Sequence, residues 1–200
     1  MASVSPRTPE PDVRERLVEV AARLLTDEGP AGLSTRRLAS EVGTSTMAVY
    51  THFGGLPQLV RAVVSEGFSR LAEHMAAVPH TDDPLTDLAE LGVAYRANAH
   101  DNPHLYAVMF GSASLGGYRL TRDELAEGRY TFEVLVAGTQ RVMDAGIWKA
   151  DDAEAVAGQL WCSLHGFVML ELAGYYEGEP DAADKVLLPM MANLATALSA

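Results

Sequence analysis

The 200 residues include one cysteine, Cys162, and two lysines, Lys149 and Lys185. A single thiol excludes an internal disulfide and suits a reducing compartment. No run of about 18 or more purely apolar residues occurs, which argues against a membrane span. The opening "MASVSPRTPEPDVRER" lacks the apolar core of a secretory signal. These absences give the expectation of a cytoplasmic protein. No useful length of apolar–polar alternation is present either, so strands are not expected and the fold class reads as all-α. What is present is the composition of a globular protein, 48% hydrophobic and 21% charged, with chain enough for one or two domains and a real core.

The formal net charge of −12 is unevenly placed. From Met1 to Ala77 there are eight arginines and nine acidic residues, a balance of −1. From Val78 to Ala200 there are seven basic and eighteen acidic residues, a balance of −11. A surface for a polyanion is therefore expected in the first part, and overall acidity argues against indiscriminate nucleic-acid binding.

Residues 1–11 are Pro- and Ser-rich without periodicity and are expected to form a disordered arm. Leu17, Val20, Ala21, Leu24 and Leu25 recur at helical spacing until Gly29-Pro30. Ser34 can cap a short second helix that Gly43 ends, and Thr44 or Ser45 can cap a third running to Phe53. Pro57 suits the first turn of a fourth helix with the apolar stripe Leu59, Val60, Val63, Val64, Phe68, Leu71 and Met75. The stripe fades at "VPHTDDP", a domain boundary. Beyond it a helix is expected over 85–101, a short turn over 104–110 and a flexible loop at "GSASLGG". A long helix follows from about 120 to 145, with Asp151 or Asp152 capping the next. Residues 154–176 are apolar on nearly every face, which implies burial on several sides. A turn at "EGEPDAAD" leads to a last helix with Val186, Leu187, Met190, Met191, Leu194 and Leu198.

The short helices joined by Gly43 fit a helix-turn-helix. On the third helix Val49 and Phe53 face inward, which turns Thr46, Met47, Tyr50 and Thr51 outward. Hydroxyls and a thioether suit base edges and thymine methyls in a major groove. Between Glu41 and Glu66 no acid interrupts the segment. The stretch "RERLVEVAARLLTDEGPAGLSTRRLASEVGTSTMAVYTHFGGLPQLVRAVV", over roughly residues 14–64, resembles the DNA-binding domain of TetR-family transcriptional repressors. The resemblance implies DNA contacts from Thr35, Arg36, Arg37, Thr44, Ser45, Thr46, Met47, Ala48, Tyr50, Thr51 and His52. Arg36, Thr46, Met47 and Ala48 would meet bases; Thr35, Tyr50, Thr51 and His52 would meet the backbone. The family often has a lysine for a phosphate at the start of the fourth helix, where this chain has Leu56.

In the second part, Cys162 and His165 stand at helical i,i+3 spacing, a spacing open to a nucleophile and its base, but no third group orients them and no catalytic residue is assigned. Glu171, His165 and Cys162 give only a weak metal set, and Pro103 breaks the helix that would align His100 with His104. No metal or cofactor is expected. Trp161, His165 and Gly166 form a Trp-x3-His-Gly pattern that resembles the WHG-type ligand-binding domain of one branch of the family, over roughly residues 84–198. That resemblance implies a helical bundle with a pocket, dimerising through its last two helices. Candidate ligand-binding residues are Tyr95, His100, Tyr106, Met109, Phe110, Phe132, Trp161, His165 and Met169, a mostly apolar set with few polar groups.

The expected organisation is an arm at 1–11, a helix-turn-helix domain at 12–56, a connecting helix at 57–80, and a ligand-binding and dimerisation domain at 81–200. The expected function is a ligand-responsive, DNA-binding transcriptional regulator. It would repress as a homodimer on a palindromic double-stranded operator and be released by a small-molecule effector, with no membrane partner. The alternatives are a small helical enzyme using Cys162 and His165, or a helical interaction module without DNA binding.

Overall fold

The computed structural model describes residues 12–110 and 122–199. Among the described residues there are nine α-helices and no strand, only a bridge between Trp148 and Ser199. The arm at 1–11 and the loop "GSASLGG" lie outside the described residues.

Helix α1 (Val13–Asp27) buries Leu17, Val18, Ala21, Leu24 and Leu25 on one face. Gly29, at φ +69°, and a short 3-10 turn (Pro30–Gly32) lead to α2 (Thr35–Val42). Ser34 caps α2, its hydroxyl accepting the Arg37 N–H at 3.2 Å. Gly43 ends α2 at φ +73°, a conformation that a side chain would strain. Two residues later α3 (Thr46–Phe53) begins. The expected side-chain cap on α3 is missing: Ser45 holds the N-cap place, but its hydroxyl accepts no helix N–H. Main-chain bonds hold the turn instead, from Thr44 N–H to Ala39 C=O at 2.8 Å and from Ala48 N–H to Ser45 C=O at 3.0 Å.

Helix α4 (Leu56–Ala76) has Pro57 in its first turn. It stops short of residue 80, because Pro79 cannot join a helix interior. Asp83 caps α5 (Pro84–Asp101), accepting the Thr86 N–H at 3.1 Å. The turn expected at 104–110 is a full helix, α6 (Pro103–Phe110), which Pro103 can open with its preset φ. Helix α7 (Arg122–Asp144) is followed by Gly146 at φ +72°. Asp152 caps α8 (Ala153–Leu172), accepting the Glu154 and Ala155 N–H groups. A π-type turn (Ala183–Leu187) begins inside the expected "EGEPDAAD" turn and runs directly into α9 (Leu188–Leu198).

Helices α1, α2 and α3 close around Leu38, Val42 and Val49. Helix α4 extends that core into a bundle, packing on α1 and α3 and also on α5, α6 and α7. Helix α8 is held by α5, α7 and α9. The expected burial of α8 on several sides is not met within one subunit. Ala155, Gln159, Cys162, Gly166 and Leu170 form an exposed stripe at helical spacing. By length and hydropathy alone α8 could cross a membrane, yet its other face packs sideways into the bundle.

Candidate DNA-reading surface and ligand cavity

Val49 is fully buried and Phe53 packs against the same core, as their spacing predicts. This anchors α3 and leaves Thr46, Met47, Tyr50, Thr51 and His52 exposed, with Met47 at 63% and Tyr50 at 52%. Ala48 is half-buried against the core, so it offers only part of its surface. Ser45 is exposed, while Thr35 and Thr44 are half-buried.

The two arginines of α2 separate. Arg36 is exposed and forms no ion pair with any described residue. Arg37 is committed to Glu41 on its own helix and to Glu28 at 3.1 Å. Its bond to Glu41 holds that carboxyl below the ordinary range, and Arg23 binds the same group. Arg37, exposed like its neighbour, is thus engaged in surface ion pairs that compete with a DNA contact. Leu56, where the family resemblance leads one to look for a lysine, packs partly buried against the core. Arg14 lies over the Phe53 ring at 5.5 Å, and Arg16 donates to the Val42 carbonyl at the end of α2.

The second site is a cavity of about 210 Å³ between α4, α5, α7 and α8. Four of the nine sequence-predicted ligand residues line it: Tyr95, Phe110, Phe132 and Trp161. Tyr106 and His165 stand behind that wall. His165 Nδ1 lies 2.7 Å from the Tyr106 hydroxyl and 3.0 Å from the Tyr95 hydroxyl. The two hydroxyls are 3.0 Å apart, and Trp161 Nε1–H donates to Tyr95 at 3.2 Å. Burial pushes the Tyr95 phenol up to about 12, raises Tyr106 as well, and lowers His165. The cluster is thus neutral around pH 7, with the two hydroxyls and Nδ1 linked by hydrogen bonds.

The other three candidates stand apart from the cavity wall. His100 is exposed on the outer face of α5, its Nε2 2.9 Å from Glu171, which Arg96 also holds. Met169 is on the exposed side of α8. Met109 is core: it presses against Gly67 of α4, where a Cβ would meet its sulfur at 2.4 Å. Cys162 lies on the exposed stripe of α8 while His165 turns to the tyrosines, and no hydrogen bond joins the two. That arrangement removes the nucleophile–base pair. Among the described residues no cluster has a metal's ligand set.

Sequence reasoning missed the contribution of α4 to the cavity and, apart from Phe132, that of α7. Phe68, Leu71 and Met75 line it from α4, and Thr131 and Leu135 from α7. The α4 residues were legible as an apolar stripe, but a stripe does not tell core from cavity wall. Gly128 was the available signal: a Cβ there would meet the Phe68 ring at 2.5 Å, so glycine sets how closely α7 approaches α4.

Residues 17–63 match the family model described as bacterial regulatory proteins, tetR family, and residues 88–194 match the tetracyclin repressor-like C-terminal domain. An HTH-type transcriptional regulator of Mycobacterium tuberculosis is 30% identical over 190 residues, covering 92% of this chain and 81% of that protein. The tetracycline repressor protein class C of Escherichia coli is 40% identical over 68 residues, 34% of this chain and 27% of the repressor. The crystal structure of a TetR transcription regulator from Haloarcula marismortui shares the fold, with TM-score 0.73 over 94% of this chain and 99% of that one at 22% identity. With its helix-turn-helix and its C-terminal bundle both matched, the chain belongs to the TetR family of transcriptional regulators.

Proposed function

We propose that this protein is a repressor that binds a palindromic operator as a homodimer and is released when a small molecule enters the cavity. Each subunit places α3 in a major groove, with Thr46 and Met47 at base edges and Tyr50, Thr51 and His52 along the backbone. The uncapped first turn of α3, with the exposed Ser45 hydroxyl, can receive a phosphate. Arg36 is the cation left free to reach a base. Two-fold symmetry calls for a palindrome, with half-sites about 34–36 Å or a multiple of that apart so that both face one side of the duplex. The acting compartment is the cytoplasm.

The observation that carries this reading is the double service of α4. Its first half, Leu59, Val60, Val63 and Val64, is buried in the continuous core that also holds Leu38, Val42 and Val49, and α4 packs directly on α3. Its second half, Phe68, Leu71 and Met75, lines the cavity. Arg70, within the second half, joins Glu19 of α1, Glu66 of α4 at 2.9 Å and Asn102 at 2.7 Å. A guest that favours a different setting of the second half of α4 shifts the first half, and with it the spacing of the two reading helices. Its differential affinity for the two settings bounds the effect, typically about 1–3 kcal/mol of coupling.

Selection of duplexes from a random pool by the purified protein tests the reading. The expected product is a palindrome whose binding weakens steeply with salt. Recovery of no palindrome rejects it and favours the interaction-module alternative.

A further inference from the structure

Given that the cavity is the effector site proposed above, its wall also limits the chemistry of the guest. Phe110 and Trp161 have ring centroids 6.1 Å apart and inclined by 53°; Phe132 and Trp161 are 6.0 Å apart and inclined by 58°. Phe68 adds a fourth ring, edge-on to Phe110 at 5.9 Å. The polar groups on the described wall are spent on protein partners. Trp161 Nε1–H goes to Tyr95, and Tyr95 in turn touches Tyr106 and His165. The Thr131 hydroxyl donates to the Gly128 carbonyl at 2.7 Å. The Arg129 guanidinium bonds Glu133 and Glu154, each at 3.3 Å.

A charged guest would surrender its hydration to a wall whose described residues give no unpaired counter-charge, a large loss for a full charge. A neutral aromatic guest loses little and gains edge-to-face contacts with the rings. Size narrows the class further. An apolar cavity of about 150 Å³ holds benzene, so 210 Å³ admits about one further ring. We propose that this cavity takes a neutral, flat aromatic molecule of about the size of a fused bicycle.

Calorimetric titration of the full chain, without DNA, against 2-naphthylmethanol, 2-naphthylmethylammonium and 2-naphthoate compares three charges on one ring frame. The neutral alcohol is expected to bind at least about tenfold more tightly than either ion, the penalty for an uncompensated charge. Gly92→Leu locates the site. Gly92 lines the cavity, and a Cβ there meets only Leu164, at 3.7 Å. The added side chain is expected to fill the space and abolish binding; Gly92→Ala, which adds a single methyl and asks less of the fold, is expected to weaken it. Tightest binding of an ion, binding of none of the three, or full affinity in both Gly92 variants overturns the proposal. Since no DNA is present, such a failure leaves the operator reading standing. Loss of operator selection with the alcohol still bound rejects that reading alone.

Discussion

Arg36 and Arg37 are sequence neighbours with opposite employment. The guanidinium of Arg36 is exposed and is proposed to read a base, while that of Arg37 bonds Glu41 and Glu28. Arg36→Ala and Thr46→Ala are each expected to lower the preference for the selected operator over a scrambled duplex by about 1–3 kcal/mol, the worth of one base contact. Arg37→Ala is expected to keep that preference and to show its effect as a lower melting temperature. Competition binding of the two duplexes to the three variants decides; equal loss of specific and non-specific binding in Arg36→Ala removes its base-reading role. The sequence already favoured a base contact for Arg36 and an ion pair or phosphate contact for Arg37, and the i,i+4 spacing to Glu41 was legible; only the fold brings Glu28 to Arg37 as well.

At the scale of elements, glycines regulate how the helices approach. Gly92→Ala on α5 meets only Leu164 at ordinary contact distance and removes a helix-interior glycine, a gain of up to about 1 kcal/mol. Gly128→Ala on α7 drives a methyl into the Phe68 ring, and such overpacking costs about 1–3 kcal/mol. Urea unfolding of the two variants should therefore move in opposite directions. A second test concerns the tie between α5 and α7, where Asp87 accepts from Thr81 and from Arg141 at 2.8 Å. The Thr81 bonds, with Arg141 beside them, pull the Asp87 carboxyl from 3.8 down to about 2. A depressed carboxyl stabilises the fold above its unfolded value and loses that contribution as pH falls through the folded one. Wild type is expected to melt above Asp87→Asn at pH values over 3.8, with the gap closing toward pH 2. A gap that persists at the acid end would mean that the pair does not control this stability.

For the whole molecule, the proposed dimer would cover the exposed faces of α8 and α9. Leu170 is 44% and Leu188 57% exposed, and Gly166 lies between small and apolar neighbours on the open stripe of α8. A Cβ at Gly166 meets nothing within 4 Å in the single subunit. Gly166→Arg is therefore expected to leave the subunit folded while burying an unpaired charge in a symmetric interface, and so to yield monomers. Sedimentation should show a dimer for wild type and a monomer for the variant, and operator affinity should fall with dimerisation. A variant that remains dimeric would move the interface elsewhere.

The sequence by itself determined what local physics can encode. The capping of α2 by Ser34, the left-handed Gly43, the inward Val49 and the outward Thr46, Met47 and Tyr50 follow from spacing and turn chemistry over a few residues. The helical class and the helix-turn-helix were legible for the same reason. Tertiary structure alone decided which apolar residues surround a space and which fill one. Tyr95 and Met109 look alike in sequence as large side chains on apolar helices, yet Tyr95 lines the cavity while Met109 fills the gap over Gly67. His100 and His165 likewise diverge, one to Glu171 outside and one to the tyrosines within. Burial on a given face depends on which distant helix arrives there, and no local pattern carries that information.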